Sequence, residues 1–194
     1  MPKTYKINDI FYSIQGEGYY TGEPAVFVRF SGCNLACSWC DTNHLSGDLM
    51  TADEIEKKVT SLWQGKDKNP VVVLTGGEPA LQTDDELIQA LHAIKAFIAI
   101  ETNGTRDIPE GIDWITCSPK LNSFLRLKYA DEVKVIFDGT TNPELWRKEI
   151  QAPHWFLQPL DNGETANIKE TVDYILAHPY WRLSLQTHKL IGIK

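Results

Sequence analysis

Cysteine is scarce in this chain, with four among 194 residues, and three of the four fall within one window of eight. A disulfide framework would spread paired cysteines along the sequence, so the pattern suits a reducing, cytosolic setting. Basic residues are outnumbered, 19 Lys and Arg against 26 Asp and Glu, for a net charge of −7. Such a balance offers no overall basic footprint for nucleic acid or an anionic membrane. No apolar run is long enough to span a bilayer. The start, Met1-Pro2-Lys3-Thr4-Tyr5-Lys6, lacks the apolar core of a signal peptide. Repeats, low-complexity linkers and charge blocks are also missing, so nothing marks a domain boundary. The length suits a single domain that buries a sizeable core without staples.

What is present alternates. Strand-like runs recur at 25–30, 71–75, 97–101, 114–117, 132–137, 154–158 and 181–186, several of them continuously apolar or β-branched, as in strands buried on both faces. Helical patterns lie between them. Thr51-Ala52-Asp53-Glu54 reads as a capping box, followed by Ile55, Val59, Leu62 and Trp63 on one face. Thr83-Asp84-Asp85-Glu86 repeats the signal ahead of Leu87, Ile88, Leu91 and Ile94. A third helix is expected over 164–177, with Ile168, Val172, Ile175 and Leu176 inward and Pro179 beyond its end. Strands alternating with amphipathic helices imply parallel βαβ units. About seven strands with three convincing helices is lean for an eight-fold barrel. The expected fold is therefore α/β, a partial, open parallel β/α barrel with about six core strands.

In parallel β/α folds chemistry collects where strands end. The unusual residues of this chain sit there. Cys33, Cys37 and Cys40 follow the first parallel strand with spacing C-x3-C-x2-C. Clustered thiolates select soft metals, chiefly zinc, copper(I) and iron–sulfur clusters, and a cubane held by three cysteines leaves one iron open. A closed zinc site is the competing reading, with His44 or Cys117 as fourth ligand. Gly76-Gly77-Glu78-Pro79 follows the next strand, where glycines let a ligand approach the backbone or simply make a tight turn. Arg29 carries a guanidinium fork that matches a carboxylate, or else is a surface arginine. Cys117 is read as a small buried residue.

The cysteine spacing, with Trp39 before the last cysteine, resembles the signature of radical S-adenosylmethionine (SAM) enzymes, and Gly76-Gly77-Glu78-Pro79 resembles that superfamily's second motif. The flanks narrow this. Phe11 to Gly18, Arg29, Asp41-Thr42, Ser118-Pro119-Lys120 and Gln186-Thr187-His188-Lys189 together resemble the 7-carboxy-7-deazaguanine synthase (QueE) family, over nearly the whole chain.

That resemblance implies a radical SAM lyase that contracts the ring of 6-carboxy-5,6,7,8-tetrahydropterin to 7-carboxy-7-deazaguanine, with loss of ammonia, in queuosine and deazapurine biosynthesis. It implies a [4Fe-4S] cluster on Cys33, Cys37 and Cys40, and SAM contacts from Trp39, Cys40, Asp41, Gly77, Ser118, Pro119 and Lys120. Substrate contacts would come from Ile14, Gln15, Gly16, Arg29 and Thr75, and a Mg2+ ion would sit at Thr42, whose hydroxyl otherwise reads as a turn residue. Glu101, Asn103, Gln186, Thr187 and His188 are further candidates near SAM or substrate. A cytoplasmic homodimer served by a one-electron donor such as flavodoxin or ferredoxin completes the implication. Two other functions compete: a radical SAM activase of a glycyl radical enzyme, and a zinc-stabilised binding module. We expect alanine at Cys33, Cys37 or Cys40 to abolish cluster retention and SAM cleavage, and Cys117→Ala to preserve both, as read by anaerobic iron and sulfide analysis with a 5′-deoxyadenosine assay.

Overall fold

The computed structural model describes residues 2–40, 42–161 and 166–194. Nine strands form one sheet in the order β3-β1-β2-β4-β5-β6-β7-β8-β9. The strands are β1 (Tyr5–Ile14), β2 (Pro24–Phe30), β3 (Asp48–Met50), β4 (Val71–Gly76), β5 (Phe97–Thr102), β6 (Trp114–Cys117), β7 (Glu132–Phe137), β8 (His154–Pro159) and β9 (Arg182–Leu183). From β2 to β9, with β1 and β3 set aside, neighbours pair in parallel, whereas β1 is antiparallel to both β2 and β3. Strands β3 and β9 are the two ends of the order, so the sheet curls as an open, partial barrel. The last strand, expected over 181–186, is only two residues long.

Two strands escape the sequence pattern. In β1 the register slips between Ile7 and Asp9. Tyr5 and Ile7 face the helices before this bulge, and Ile10 and Tyr12 face them after it. A one-residue slip moves the apolar set from odd to even positions, so no continuous alternation is visible. Strand β3, with three residues, is too short to give a period.

The helices are α1 (Ala52–Leu62), α2 (Asp85–Ala93), α3 (Ala166–Ala177) and a single turn, α4 (Thr187–Leu190). Thr51 caps α1 as the sequence indicates, accepting from the Glu54 N–H at 3.3 Å while Glu54 accepts from the Thr51 N–H at 2.8 Å. For α2 the cap is Asp84, not Thr83. Its carboxylate accepts from the Leu87 N–H at 3.2 Å, from the Tyr5 hydroxyl at 2.7 Å, and from Lys3. Thr83 is buried and donates to the Pro79 carbonyl at 3.0 Å, closing the turn ahead of the helix. In α3 the expected inward stripe is only partly right: Ile168 and Leu176 are exposed, and Tyr174 and Ile175 pack on the core beside the fully buried Thr171. Thr171 tolerates burial because its hydroxyl donates to the Asn167 carbonyl at 2.8 Å. The expected start at Glu164 lies outside the described residues.

Strand periodicity then divides the core. Val26, Val28 and Phe30, with Val72, Leu74, Ile98 and Ile100, pack under α1 and α2. Val133, Val135, Phe137, Trp155 and Leu157 pack with Trp146, Trp181 and α3. Ala25, Phe27, Val73 and Ala99 line the inside of the barrel, and above them the inner face turns polar. No described helix is long and apolar enough to cross a membrane.

Asp84 links the N-terminal strand to α2, so Asp84→Ala should lower stability by about 1 kcal/mol. Burial pushes its carboxyl up, but the hydrogen bonds from Lys3, Tyr5 and Leu87 outweigh this and hold it below its ordinary 3.8. A depressed carboxyl stabilises the fold above its unfolded pKa and loses that contribution as pH falls through the folded value. Denaturant melts should show the gap between wild type and Asp84→Ala closing below about pH 4.

Candidate active site

A cavity of about 400 Å3 opens at the C-terminal ends of the parallel strands. Its wall is the same inner face, seen where the small side chains give way to polar ones. Arg29 on β2 is in register with Thr75 on β4, and Glu101 on β5 with Thr116 on β6. Lys134 on β7 and Gln158 on β8 complete the inner face. The cavity takes in Ile14, Gln15, Gly16, Arg29 and Thr75, the cysteine triplet, and Trp39, Thr42, Gly77, Ser118 and Lys120. Pro119 faces an adjoining cleft of about 360 Å3 that shares Leu35, Cys37, Trp39 and Lys120 with the main cavity. Asp41 lies outside the described residues.

The two motif loops are tied backbone to backbone. The Gly77 N–H donates to the Phe30 carbonyl at 3.1 Å and the Glu78 N–H to the Gly32 carbonyl at 2.9 Å. Gly76 has φ +121°, and a Cβ there would overlap the Phe30 backbone; one on Gly77 would overlap the Gly32 carbonyl. Gly76 is therefore required by the approach of the end of β2, and Gly77 by the approach of the cysteine loop itself. Glu78 is fully buried. Burial pushes its carboxyl up, opposed by hydrogen bonds from the Asn103 N–H at 2.7 Å, the Thr102 hydroxyl at 2.8 Å and the Ala80 N–H at 3.0 Å. It pins the second motif to the end of β5. Asn103 is engaged too: its amide donates to Asn34 at 3.1 Å, and Asn34 donates to Thr105 at 2.7 Å. Asn34 belongs to the cysteine loop, so β5 anchors that loop from a second side.

The three cysteines are free thiols opening on one cavity, with Cys40 exposed and the other two half-buried. Among the described residues no three histidine, cysteine or carboxylate side chains sit close enough to hold a metal by themselves. Burial raises the Cys33 thiol pKa; the Leu35 N–H at 3.4 Å opposes this, and Glu78, Cys37 and Cys40 raise it further. Three thiolates that repel one another suit a cationic iron cluster, which removes the repulsion, so the donor set fits such a group. Cys117 does not complete it. Its side chain is fully buried in the core on the other face of the sheet, and burial pushes its thiol up to about 12. His44 lines the cavity, and its Nδ1 makes no hydrogen bond among the described residues.

A second constellation lies across the cavity. Glu101 accepts from the Thr75 hydroxyl at 2.8 Å and the Gln15 amide at 3.1 Å. Glu17 is ion-paired with Lys134 and accepts from Gln186 at 2.9 Å. The same Lys134 ammonium is 4.0 Å from Glu101. Burial works against the Glu17 carboxylate, but the Lys134 charge overcomes it and holds the carboxyl below its ordinary range. The C-terminal segment closes this side. The Thr187 N–H donates to the Gly16 carbonyl at 3.0 Å, and a Cβ on Gly16 would overlap the His188 ring. Lys134 and Glu17 were missed as site residues. A lysine inside Val133-Lys134-Val135 was the available signal, since lysine is almost never buried unless paired. Arg29 makes no ion pair among the described residues and lies 5.3 Å from the Phe11 ring.

An open parallel barrel carrying this cysteine loop defines a radical SAM protein, and residues 27–119 match the radical SAM superfamily model. Such membership implies a [4Fe-4S] cluster and SAM. The chain is 54% identical to 7-carboxy-7-deazaguanine synthase from Bacteroides thetaiotaomicron, over 97% of this chain and 98% of that one. It is 41% identical to the synthase from Bradyrhizobium diazoefficiens, over 98% and 100%. It is also similar to the crystal structure of QueE from Escherichia coli, with TM-score 0.76 and 27% identity over 95% of both chains. The chain belongs to the 7-carboxy-7-deazaguanine synthase family.

Gly77→Ala is expected to cost about 1–3 kcal/mol through overlap with a backbone that has little room to move. It should also speed cluster loss, followed by the decay of iron absorbance under chelator.

Proposed function

We propose that this chain converts 6-carboxy-5,6,7,8-tetrahydropterin to 7-carboxy-7-deazaguanine with release of ammonia. One observation carries the reading: the cavity presents a guanidinium with no acidic partner among the described residues, Arg29, together with the ordered carboxylates Glu17 and Glu101. The substrate has complementary ends, a carboxylate for the guanidinium fork and an N–H-rich pyrimidine edge for the carboxylates. Thr75 and Gln15 hold Glu101 in position, and Ile14 and Gly16 shape the wall beside them.

Cys33, Cys37 and Cys40 would hold the cluster, and Trp39, Cys40, Asp41, Gly77, Ser118, Pro119 and Lys120 would hold SAM. Bound there, the pair supplies one-electron cleavage of SAM for hydrogen abstraction. Lys120 donates to the Ser118 hydroxyl at 2.6 Å and lies 5.4 Å from the Trp39 ring, so it braces both halves of that site. Thr42 opens on the same cavity and is assigned to Mg2+, which binds with few protein ligands when substrate and water supply the rest. We assign the whole chain to one radical SAM core domain with a short N-terminal extension. It acts as a cytoplasmic homodimer, served by flavodoxin or ferredoxin.

Anaerobic reconstitution with iron and sulfide, then assay with SAM, reductant, Mg2+ and the tetrahydropterin, tests the function; cluster-loaded protein that forms no deazaguanine would defeat it. Arg29→Ala should raise KM by about 10–100-fold, the loss of a charged hydrogen bond of about 1.5–3 kcal/mol. Reductive SAM cleavage should persist, and its disappearance despite a full cluster would place Arg29 elsewhere.

A further inference from the structure

Lys134 is the least expected residue in the cavity. It lies mid-strand on β7 with 5% exposure, yet it lines the cavity wall. An ammonium has three protons to donate. Among the described residues Lys134 makes one hydrogen bond, to Glu17, with Glu101 next nearest at 4.0 Å. A buried ammonium is costly unless paired, and two neighbouring carboxylates are costly unless a cation lies between them. Each half of this arrangement removes the cost of the other.

We propose that Lys134 is a positioning residue for the reaction, a fixed cation that holds Glu17 and Glu101 in place as hydrogen-bond acceptors for the N–H edge of the heterocyclic substrate. This rests on the function proposed above. The three groups come from distant parts of the chain: Glu17 from the turn after β1, Glu101 from β5, Lys134 from β7. Without the cation, one carboxylate would take a proton and become a donor where the ligand needs an acceptor. The other charged groups around them leave this role to Lys134. Glu132, on its own strand, is occupied by the Tyr19 N–H at 2.7 Å and the Thr116 hydroxyl at 2.8 Å. His188 on α4 and Lys120 after β6 act on Glu17 and Lys134 only through space.

The pairing also reaches the C-terminal segment, because Glu17 accepts from Gln186. A purely structural strut is therefore the rival explanation, and the test must separate the two. The reconstituted holoprotein is compared as wild type, Lys134→Met, Lys134→Gln and Lys134→Arg. Lys134→Met should keep its iron content and its SAM-dependent cluster spectrum while kcat/KM for the tetrahydropterin falls at least about tenfold. The acid limb of its pH–rate profile should move up by about one to three units, because carboxylates lacking their cation protonate at higher pH. Lys134→Arg, which keeps the charge, should return that limb toward wild type; Lys134→Gln serves if the methionine variant does not fold.

An infrared titration of glutamate carboxyls, without substrate, reads the same effect without turnover. Lys134→Met should show a carboxyl protonating at higher pH than in wild type, and adding Glu17→Gln or Glu101→Gln should remove that band. Wild-type protein that makes no deazaguanine would overturn the function while this titration still decided the role of Lys134. A lower melting temperature with an unchanged carboxyl titration and acid limb would overturn the positioning role.

Discussion

The site depends on a pair of backbone hydrogen bonds, from Gly77 to Phe30 and from Glu78 to Gly32. They join the segment leaving β2 to the segment leaving β4, so the cysteine loop and the glycine motif become one unit. The contact is possible only where neither residue carries a Cβ, which fixes glycine at 76 and 77. Glu78 extends the unit to β5 by spending its buried carboxylate on Thr102 and the Asn103 backbone. Asn103 then reaches back to Asn34 inside the cysteine loop. Three strand ends and one loop thus hold each other, and the thiols inherit their position from that frame rather than from one another.

Opposite this frame the barrel wall is organised by alternation. Each parallel strand sends one set of side chains under the helices and the other inward, so Arg29, Thr75, Glu101, Thr116, Lys134 and Gln158 share a face although they are scattered over more than a hundred positions. Charge on that face is balanced locally, with Lys134 between Glu17 and Glu101. Among the described residues Arg29 has no part in that balance, which suits it to an anionic group. The cavity is therefore polarised, with the thiols and glycine motif on one side and the carboxylate pair on the other.

Much of this was legible beforehand. The six longer parallel strands were visible because both their faces are buried and their runs are apolar. The two clear helices were visible from their periods and acidic starts. The cysteine loop, the glycine motif and Arg29 were legible because local chemistry marks them. The bulged strand β1 was not, because a slip at Ile7–Asp9 cancels its own alternation. The α2 cap was misplaced by one residue because Asp84 is chosen by Lys3 and Tyr5, which are remote in sequence. Ile168 and Leu176 were assigned inward by hydropathy, while the buried Thr171 was available only because its own helix satisfies its hydroxyl.

The sequence by itself determined the fold class, the clustered cysteine triplet and the resemblance that named the family, since these reside in local composition and spacing. Only the tertiary structure decided that Cys117 turns away from the cavity, that Gly76 and Gly77 are fixed by the backbone of Phe30 and Gly32, and that Lys134 stands between two carboxylates. Burial and charge balance are properties of what surrounds a side chain. For these residues the surroundings arrive from other strands, tens of residues away.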